Sequence, residues 1–511
     1  MLKNNSLRFL LTVFLSVVAT GINYLITLLL TRYITETLGV EAQGFVTLAK
    51  TISGYALILT TALNSFAARF ISVEWHKGEY EKANRFFNSI FFANIVLSLL
   101  ILFVSVGAIL VLEYIINIPP ELVTDVKILF LLDVIAFCIS SCSTVFLCPC
   151  VVKNRLDLSN ILKIGSLVFE ALFLLLSFKL LKPNIFYVGI GLIVSSLFIV
   201  VSNAIATKVL MPELKINARL VSAQTIKEVA FPGLWNSINM LGNTLNTGLD
   251  LLVCNLMLSA LKTGLLSVIK SVSTIFSSLF HLVAIPFQPI QLRYYSNNDK
   301  DKLIESFKYG IKLNGCLSNL LFAGFFVFGT AYFKLWVPSQ PSDFLQSICI
   351  VTIIGSVVEG AVYPLYYVYT LTLKNRIPCL VTIASGLLNV LGMFILIKFF
   401  NADVYGVVLT TTVLTWIVNF IFNPIYSASC LKIKKATFYP CLVRHLISSV
   451  LMTGVFYLLS LAFYPSNWIE LIVVALYCSL IGIIIHFAIV LSKNDWNMVL
   501  SRIHLIPNKK Q

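Results

Sequence analysis

Two lysines lie deep inside long apolar stretches of this 511-residue sequence. Lys50 follows the run GFVTLA, Lys270 follows GLLSVI, and the two are 220 residues apart. A charged side chain held in a bilayer costs about 2.5–3.5 kcal/mol on insertion scales, so it is expected to face water, an acid or an anionic ligand. Asp250 is a candidate partner for Lys270, but the first apolar stretch offers Lys50 no carboxylate. We interpret Lys50 as an anion-binding residue; the alternative is that its long side chain extends to the membrane surface.

A stripe of polar residues follows one face of a predicted helix in the middle of the chain. The residues are spaced by three and four positions, which places them on one side of a helix; they are Asn236, Asn239, Asn243, Asn246 and Asp250. Interhelical hydrogen bonds, at about 0.6 kcal/mol each, explain a single asparagine but poorly explain five polar residues along roughly 21 Å. The pattern therefore indicates a water-filled cavity, to which Asn23 is added because it aligns with Asn243 at the 220-residue spacing.

The elements that carry these residues are predicted to be transmembrane helices. Hydrophobic residues make up 58% of the chain and charged residues 12%, and the mean hydropathy is +0.92. In soluble proteins, hydrophobic residues make up about 45–50% of the chain and charged residues about 25%. Runs of about 20 apolar residues without alternation predict spanning helices rather than barrel strands. Fourteen such spans are predicted: 10–31, 44–63, 89–112, 127–148, 160–181, 185–207, 232–257, 264–288, 311–332, 344–372, 379–398, 405–427, 445–464 and 468–492.

The positive charges predict the orientation of these spans. With the N-terminus in the cytoplasm, 28 of the 37 Lys and Arg residues fall on the cytoplasmic side and seven on the outer side. Cytoplasmic loops carry such an excess, so we expect both termini inside. Arg32 then lies at the outer rim of the predicted cavity and Arg69 at the inner rim. The net charge of +15 follows from topology, and no nucleic-acid partner is expected.

An internal repeat relates the two halves of the chain. GFVTLAKTIS at 44–53 matches GLLSVIKSVS at 264–273, and Lys153-Asn154-Arg155 recurs as Lys374-Asn375-Arg376. Six spans form the unit, so both copies have the same orientation, as in parallel transporter repeats. The predicted domains are an N-lobe at 1–210, a cytoplasmic connecting segment at 211–231, a C-lobe at 232–430, and spans 13 and 14 with a cytoplasmic tail at 431–511.

The residues needed for enzymatic chemistry are scattered. Most of the eleven cysteines lie inside apolar runs, the five histidines form no HExxH motif, and the chain has no GxxxxGK[ST] motif. We therefore expect no catalytic residues, no enzymatic activity and no organic cofactor. A membrane glycan polymerase is the less favoured alternative, because such enzymes need a larger outer loop than this sequence provides.

Three segments resemble a known family. They are TRYITETLGVEAQGF at 31–45, NSFAARFI at 64–71 and GEYEKAN at 78–84. The chain is similar to the polysaccharide exporters of the multidrug/oligosaccharidyl-lipid/polysaccharide (MOP) flippase superfamily, which include O-antigen and capsular repeat-unit flippases. The resemblance implies an all-α, V-shaped protein of the bacterial inner membrane with two six-helix lobes that open alternately.

The same resemblance implies a substrate and partners. The substrate would be an undecaprenyl-diphosphate-linked oligosaccharide moved from the inner to the outer leaflet during lipopolysaccharide O-antigen, capsule or exopolysaccharide assembly. Membrane lipids and polysaccharide assembly proteins would be the partners. Coupling to Na⁺ or H⁺ is implied by relatives that bind sodium, and Asp250, Asn389 and Thr411 match that site loosely.

A second function in the same superfamily is a multidrug cation antiporter. Such proteins tend to carry carboxylates in the N-lobe cavity, whereas here the first span has no Asp or Glu and the second has a lysine. The sign of the predicted cavity charge disfavours this alternative, although Asp250 and Glu359 are carboxylates in the right kind of environment.

Overall fold

The computed structural model describes residues 2–491, with side chains except those of residues 2–11, 13 and 247. The predicted tail beyond residue 491 lies outside the described residues. In the described part, fourteen long helical segments follow one another through short turns, and no strand is present. The predicted all-α fold of about fourteen helices is therefore confirmed.

Twelve of the described helical segments are long and apolar enough to cross a membrane. The other two correspond to predicted spans 4 and 7. The first carries Asp125, Lys127 and Asp133, and the second is divided by a π-helical turn at Thr244–Gly248. Large apolar side chains point outward on several helices; for example, Phe103 is 82% exposed and Val450 is 73% exposed. Apolar surface of this extent suits contact with lipid.

Nine helices make up the first part of the chain. They are α1 (Leu2–Leu38), α2 (Val40–Asn64), α3 (Ala67–His76), α4 (Tyr80–Leu110), α5 (Leu112–Ile115), α6 (Val123–Ser143), α7 (Cys148–Val152), α8 (Leu156–Leu180) and α9 (Phe186–Leu210). The second part has twelve. They are α10 (Ala223–Asn243), α11 (Asp250–Met257), α12 (Ala260–Ala284), α13 (Phe287–Ser296), α14 (Lys300–Trp336), α15 (Ser342–Val362), α16 (Tyr366–Thr372), α17 (Arg376–Phe400), α18 (Asp403–Trp416), α19 (Asn423–Cys430), α20 (Tyr439–Ala462) and α21 (Trp468–Val490).

The helix boundaries repeat with the spacing found in the sequence. Helices α12, α13, α14 and α17 each begin 220 residues after α2, α3, α4 and α8. The turn before α4 contains Gly78 at φ +81°, and the matching turn before α14 contains Asn298 at φ +55°. Gly and Asn are the residues that adopt this left-handed conformation at the lowest cost. The predicted internal repeat is therefore confirmed in the backbone.

The described helices fall into two compact units. Unit 1 consists of the described residues up to Val268 with Thr382–Leu391, and unit 2 of Ile269–Val381 with the described residues from Gly392 onward. This division differs from the predicted lobes, because α10, α11 and part of α17 group with the first repeat. Helix α10 also begins at Ala223, nine residues before the predicted span, and Ser222 caps it by accepting a hydrogen bond from the backbone N of Thr225.

Two asparagines of α4 hold the connecting segment within unit 1. The Asn84 side chain donates to the carbonyl of Glu213 (2.6 Å) and accepts from the backbone N of Lys215 (3.0 Å). One turn later, Asn88 donates to the carbonyl of Lys215 (2.9 Å) and accepts from the backbone N of Asn217 (2.7 Å). The irregular backbone after α9 is thereby satisfied by side chains, as an extended segment without a neighbouring strand requires.

Two buried histidines attach the last two helices within unit 2. His445 of α20 bonds through Nε2 to the carbonyl of Val357 in α15 (2.9 Å), and His486 of α21 bonds through Nε2 to the carbonyl of Lys312 in α14 (2.9 Å). Asn319 of α14 donates to the carbonyl of His445 (3.0 Å). Helices α20 and α21 thus dock on α14 and α15 through polar contacts as well as apolar packing.

Candidate functional site

Lys50 projects from α2 with an exposed side chain. No described residue lies within ion-pairing distance of its ammonium group. Asp133 of α6 is buried and accepts a hydrogen bond from Ser53, one turn after Lys50 on α2. The positive charge of Lys50 attracts this carboxylate at longer range. The first span has no carboxylate near Lys50, as expected, but α6 places the Asp133 carboxylate in its vicinity.

Polar bonds fix the helix that carries Lys50. The Gln43 amide of α2 donates to the hydroxyls of Thr31 in α1 and Thr47 in α2, each at 3.2 Å. At the other end of α2, Asn64 and Asn94 of α4 exchange amide hydrogen bonds of 2.8 and 3.3 Å. Because both ends are bonded to neighbouring helices, the helix turn that carries Lys50 is held in position.

Helix α10 packs along α2 within unit 1. A Cβ added at Gly233 would overlap the backbone of Ala62, so only glycine permits this approach. The Ser237 hydroxyl donates to the carbonyl of Ile58 (2.8 Å), and the Tyr55 hydroxyl donates to the carbonyl of Gly248 (2.7 Å). The last bond satisfies a carbonyl of the π-helical turn, where the regular hydrogen-bond ladder is interrupted.

The predicted polar stripe divides into an exposed part and a packed part. Asn236, Asn239 and Asn243 are exposed, whereas Asn246 is half-buried and Asp250 is 1% exposed. The division falls where α10 passes into the π-helical turn. Three asparagines, rather than all five polar residues, therefore have exposed side chains.

Asn246 belongs to a hydrogen-bonded contact with α17. Its amide nitrogen donates to the carbonyl of Thr382 (2.7 Å), and its side-chain oxygen accepts from the Ser385 hydroxyl (2.8 Å). Asn389 donates in turn to the carbonyl of Asn246 (2.7 Å). Asn246 therefore serves interhelical packing, a role that accounts for one asparagine but not for the whole stripe.

The remaining predicted residues lie apart from these contacts. Arg32 of α1, Arg69 of α3 and Asn23 of α1 are exposed, and in the described part of the chain their side chains make no hydrogen bond or ion pair. Lys270 and Thr411 belong to unit 2 and are partly buried. The Thr411 hydroxyl donates to the carbonyl of Val407 at 3.3 Å.

Unit 2 contains a group of hydrogen-bonded tyrosines and asparagines that was not predicted from the sequence. Tyr366 donates to the side-chain oxygen of Asn419 (2.6 Å), and Tyr369 donates to that of Asn423 (2.7 Å). Glu359 lies one turn before Tyr363 on the same helical segment and acts electrostatically on it. The three-residue spacing of the tyrosines and the four-residue spacing of the asparagines were visible in the sequence as helical faces.

Comparisons with known proteins place this arrangement in a family. Residues 9–286 match the family model described as "Polysaccharide biosynthesis protein". The chain is 28% identical over 498 residues, 98% of its length and 96% of the relative's, to EpsK of Bacillus subtilis (strain 168), described as an uncharacterized membrane protein.

Solved structures share the fold. The lipid II flippase MurJ in its inward closed conformation matches with a TM-score of 0.67 at 15% identity, over 93% of this chain and 99% of that one. An inward-facing multidrug resistance MATE family transporter matches with a TM-score of 0.61 at 16% identity, over 80% and 95%. The chain is thus a multi-pass membrane protein that belongs to the polysaccharide biosynthesis protein family, and it shares its fold with MurJ and with a MATE family transporter of the MOP superfamily.

Proposed function

We propose that this transporter flips undecaprenyl-diphosphate-linked oligosaccharide repeat units from the inner to the outer leaflet of the bacterial cytoplasmic membrane, with both termini in the cytoplasm. The observation that carries the proposal is the charge arrangement on α2. Lys50 is exposed on a membrane helix without an ion-pair partner among the described residues, while the nearby Asp133 carboxylate is bonded to Ser53. An exposed cation on a membrane helix, with no carboxylate of the described part of the chain in ion-pairing distance, suits a diphosphate.

The exposed asparagines and outlying arginines fit the same substrate. Asn236, Asn239 and Asn243 offer amide donors and acceptors for sugar hydroxyls. Arg32 and Arg69 attract the anionic head group as it approaches from either end. MurJ, whose name describes it as a lipid II flippase, shares the fold and supports a lipid-linked substrate.

Two buried side chains of unit 1 have oxygen atoms that suit a coupling cation. Asp250 and Asn389 are buried oxygen donors in unit 1, and hard cations prefer such ligands. We propose that Asp250 and Asn389 hold Na⁺. When bound, the ion would supply positive charge that offsets the Asp250 carboxylate, and the hydrogen bond from Asn389 to Asn246 fixes the amide that would hold it.

The proposal is tested by reconstitution. Full-length protein in liposomes with a fluorescent undecaprenyl-diphosphate oligosaccharide should expose the glycan to an impermeant lectin on the opposite face, and Lys50→Ala should reduce this exposure at least tenfold. Transport of rhodamine 6G without any glycan movement would instead establish the multidrug alternative, which the MATE-like fold and the membrane carboxylates Asp250 and Glu359 favour.

A further inference from the structure

A polar cavity of about 200 Å³ lies within unit 2, apart from the residues proposed to bind the diphosphate. The end of α12, helix α13 and the turn between α15 and α16 form its walls. Its polar lining includes His281, Gln288, Gln291, Tyr363, Tyr366 and Thr370. Pockets for drug-sized molecules typically measure about 300–1,000 Å³, so this cavity suits a smaller group.

The first repeat shows that the fold does not require polar residues here. Gln291 corresponds to Ile71 and Gln288 to Ala68 at the 220-residue spacing. Ile71 is fully buried in an apolar cluster with Val145 and Phe146. The same helices therefore pack with an apolar interior in one copy and around a polar cavity in the other, so the polar lining of the second copy calls for a separate explanation.

Gln291 points to a ligand. Its side chain is 1% exposed, lines the cavity, and its amide nitrogen has no hydrogen-bond partner. A buried amide without a partner is unfavourable, and buried polar groups are nearly always bonded. The unpaired group is a donor, so its missing partner is an acceptor oxygen inside the cavity.

We propose that this cavity holds one sugar ring of the transported glycan, an inference that rests on the proposed function. A sugar ring presents hydroxyl oxygens to amide donors and an apolar face to aromatic rings. Gln288 and Gln291 supply the amides, and Tyr363 and Tyr366 supply the rings. The hydroxyl of Tyr366 is held by Asn419, which fixes the ring that the sugar would contact.

Sugar binding is tested directly by saturation-transfer NMR on the full-length protein in detergent. Glucose, galactose, N-acetylglucosamine and glucuronate are the probes. At least one should receive saturation from the wild-type protein, and Gln291→Leu should reduce that signal at least fivefold. Gln340→Leu, at a half-buried loop position outside the cavity lining, is the matched control and should leave it unchanged. A signal from no probe, or one that Gln291→Leu leaves intact, overturns the proposal.

Two further measurements complete the test. The melting temperature of Gln291→Leu distinguishes ligand binding from a structural role, and its flipping rate distinguishes failure of this subsite from failure of the proposed function. Gln291→Leu removes an unbonded buried amide, so its melting temperature should equal or exceed that of the wild type; a clear decrease means that the glutamine is structural and overturns the proposal. Tetraphenylphosphonium binding that depends on Glu359, with no sugar signal, also overturns it in favour of a cation site. Flipping at the wild-type rate in Gln291→Leu overturns this subsite alone, whereas failure of the wild type to flip the glycan lipid refutes the proposed function.

Discussion

Gly44 and Gly264, which occupy equivalent positions in the two repeats, lie directly against each other. A Cβ built on Gly44 would stand 2.9 Å from both the Cα and the backbone N of Gly264, and one built on Gly264 would overlap the carbonyl of Val40. Both glycines lie in the first turns of their helices, α2 and α12. The backbones of α2 and α12 thus meet at equivalent positions of the two repeats, where neither residue can carry a side chain.

Replacing Gly44 by leucine should destabilise the protein, because backbone atoms cannot move aside as a flexible side chain can. Overpacking of a tight contact typically costs about 1–3 kcal/mol. Thermal unfolding of the detergent-solubilised protein measures the effect. Gly54→Leu on the same helix is the control, since a Cβ there meets nothing within 4 Å; equal losses in both variants would contradict the contact.

Lys50→Ala should reduce glycan export at least tenfold at a normal protein level. The reason is the loss of a charge-assisted bond, which is worth about 1.5–3 kcal/mol. Lys50→Arg should retain part of the activity because it keeps the charge. Lys77→Ala, which breaks only the exposed pair with Glu74, should export normally. Wild-type export by Lys50→Ala would mean that the lysine extends to the surface and that another group holds the diphosphate.

Single cysteines should map the division of the polar stripe. Asn236→Cys, Asn239→Cys and Asn243→Cys should react with an impermeant maleimide in a background lacking native cysteines, because these positions are exposed. Asn246→Cys should react at least tenfold more slowly, since α17 covers that side chain. Equal rates at all four positions would show that the contact between the π-helical turn and α17 does not persist in the membrane.

Reporter fusions test the proposed topology. A reporter joined after Lys153 or Lys374 should be active on the cytoplasmic side, and one joined after Lys334 on the outer side, because the excess of Lys and Arg lies on the first of these faces. Alkaline phosphatase and green fluorescent protein fusions provide opposite readouts. A cytoplasmic reporter at Lys334 would be incompatible with fourteen spans.

His445→Phe should weaken the attachment of α20 to α15. The substitution keeps an aromatic ring of similar size and removes the bond to the Val357 carbonyl, which also accepts from the Ser318 hydroxyl. A buried hydrogen bond contributes about 0.5–1.5 kcal/mol, which thermal unfolding can detect. His76→Phe at an exposed position of α3 is the control, and a matching decrease there would rule out a specific contribution from His445.

The sequence was sufficient for features set by local pattern. The length of the apolar runs predicted the helices, because a helix depends on residues close in the chain. The spacing between Lys50 and Lys270 predicted the repeat, because a repeat is found by comparing two segments directly. Contacts between helices that are distant in the chain could not be predicted from the sequence. Ser53 with Asp133, and Asn246 with Ser385, are pairs that only packing brings together, and no periodicity in one helix identifies its neighbour.

The bonds that Asn84 and Asn88 make to the connecting segment bear on the history of the chain. At the matching positions of the second copy stand Ile304 and Lys308, which have no amide to offer. A unit of six spans ends on the side where it began, so a duplicated gene needs only a short join and no inversion. The first copy, which is followed by the connecting segment, carries the two asparagines that bond to this segment. The second copy has no asparagine at the matching positions. The two halves therefore differ at positions that serve their different places in the chain, and these amides distinguish the first half from the second.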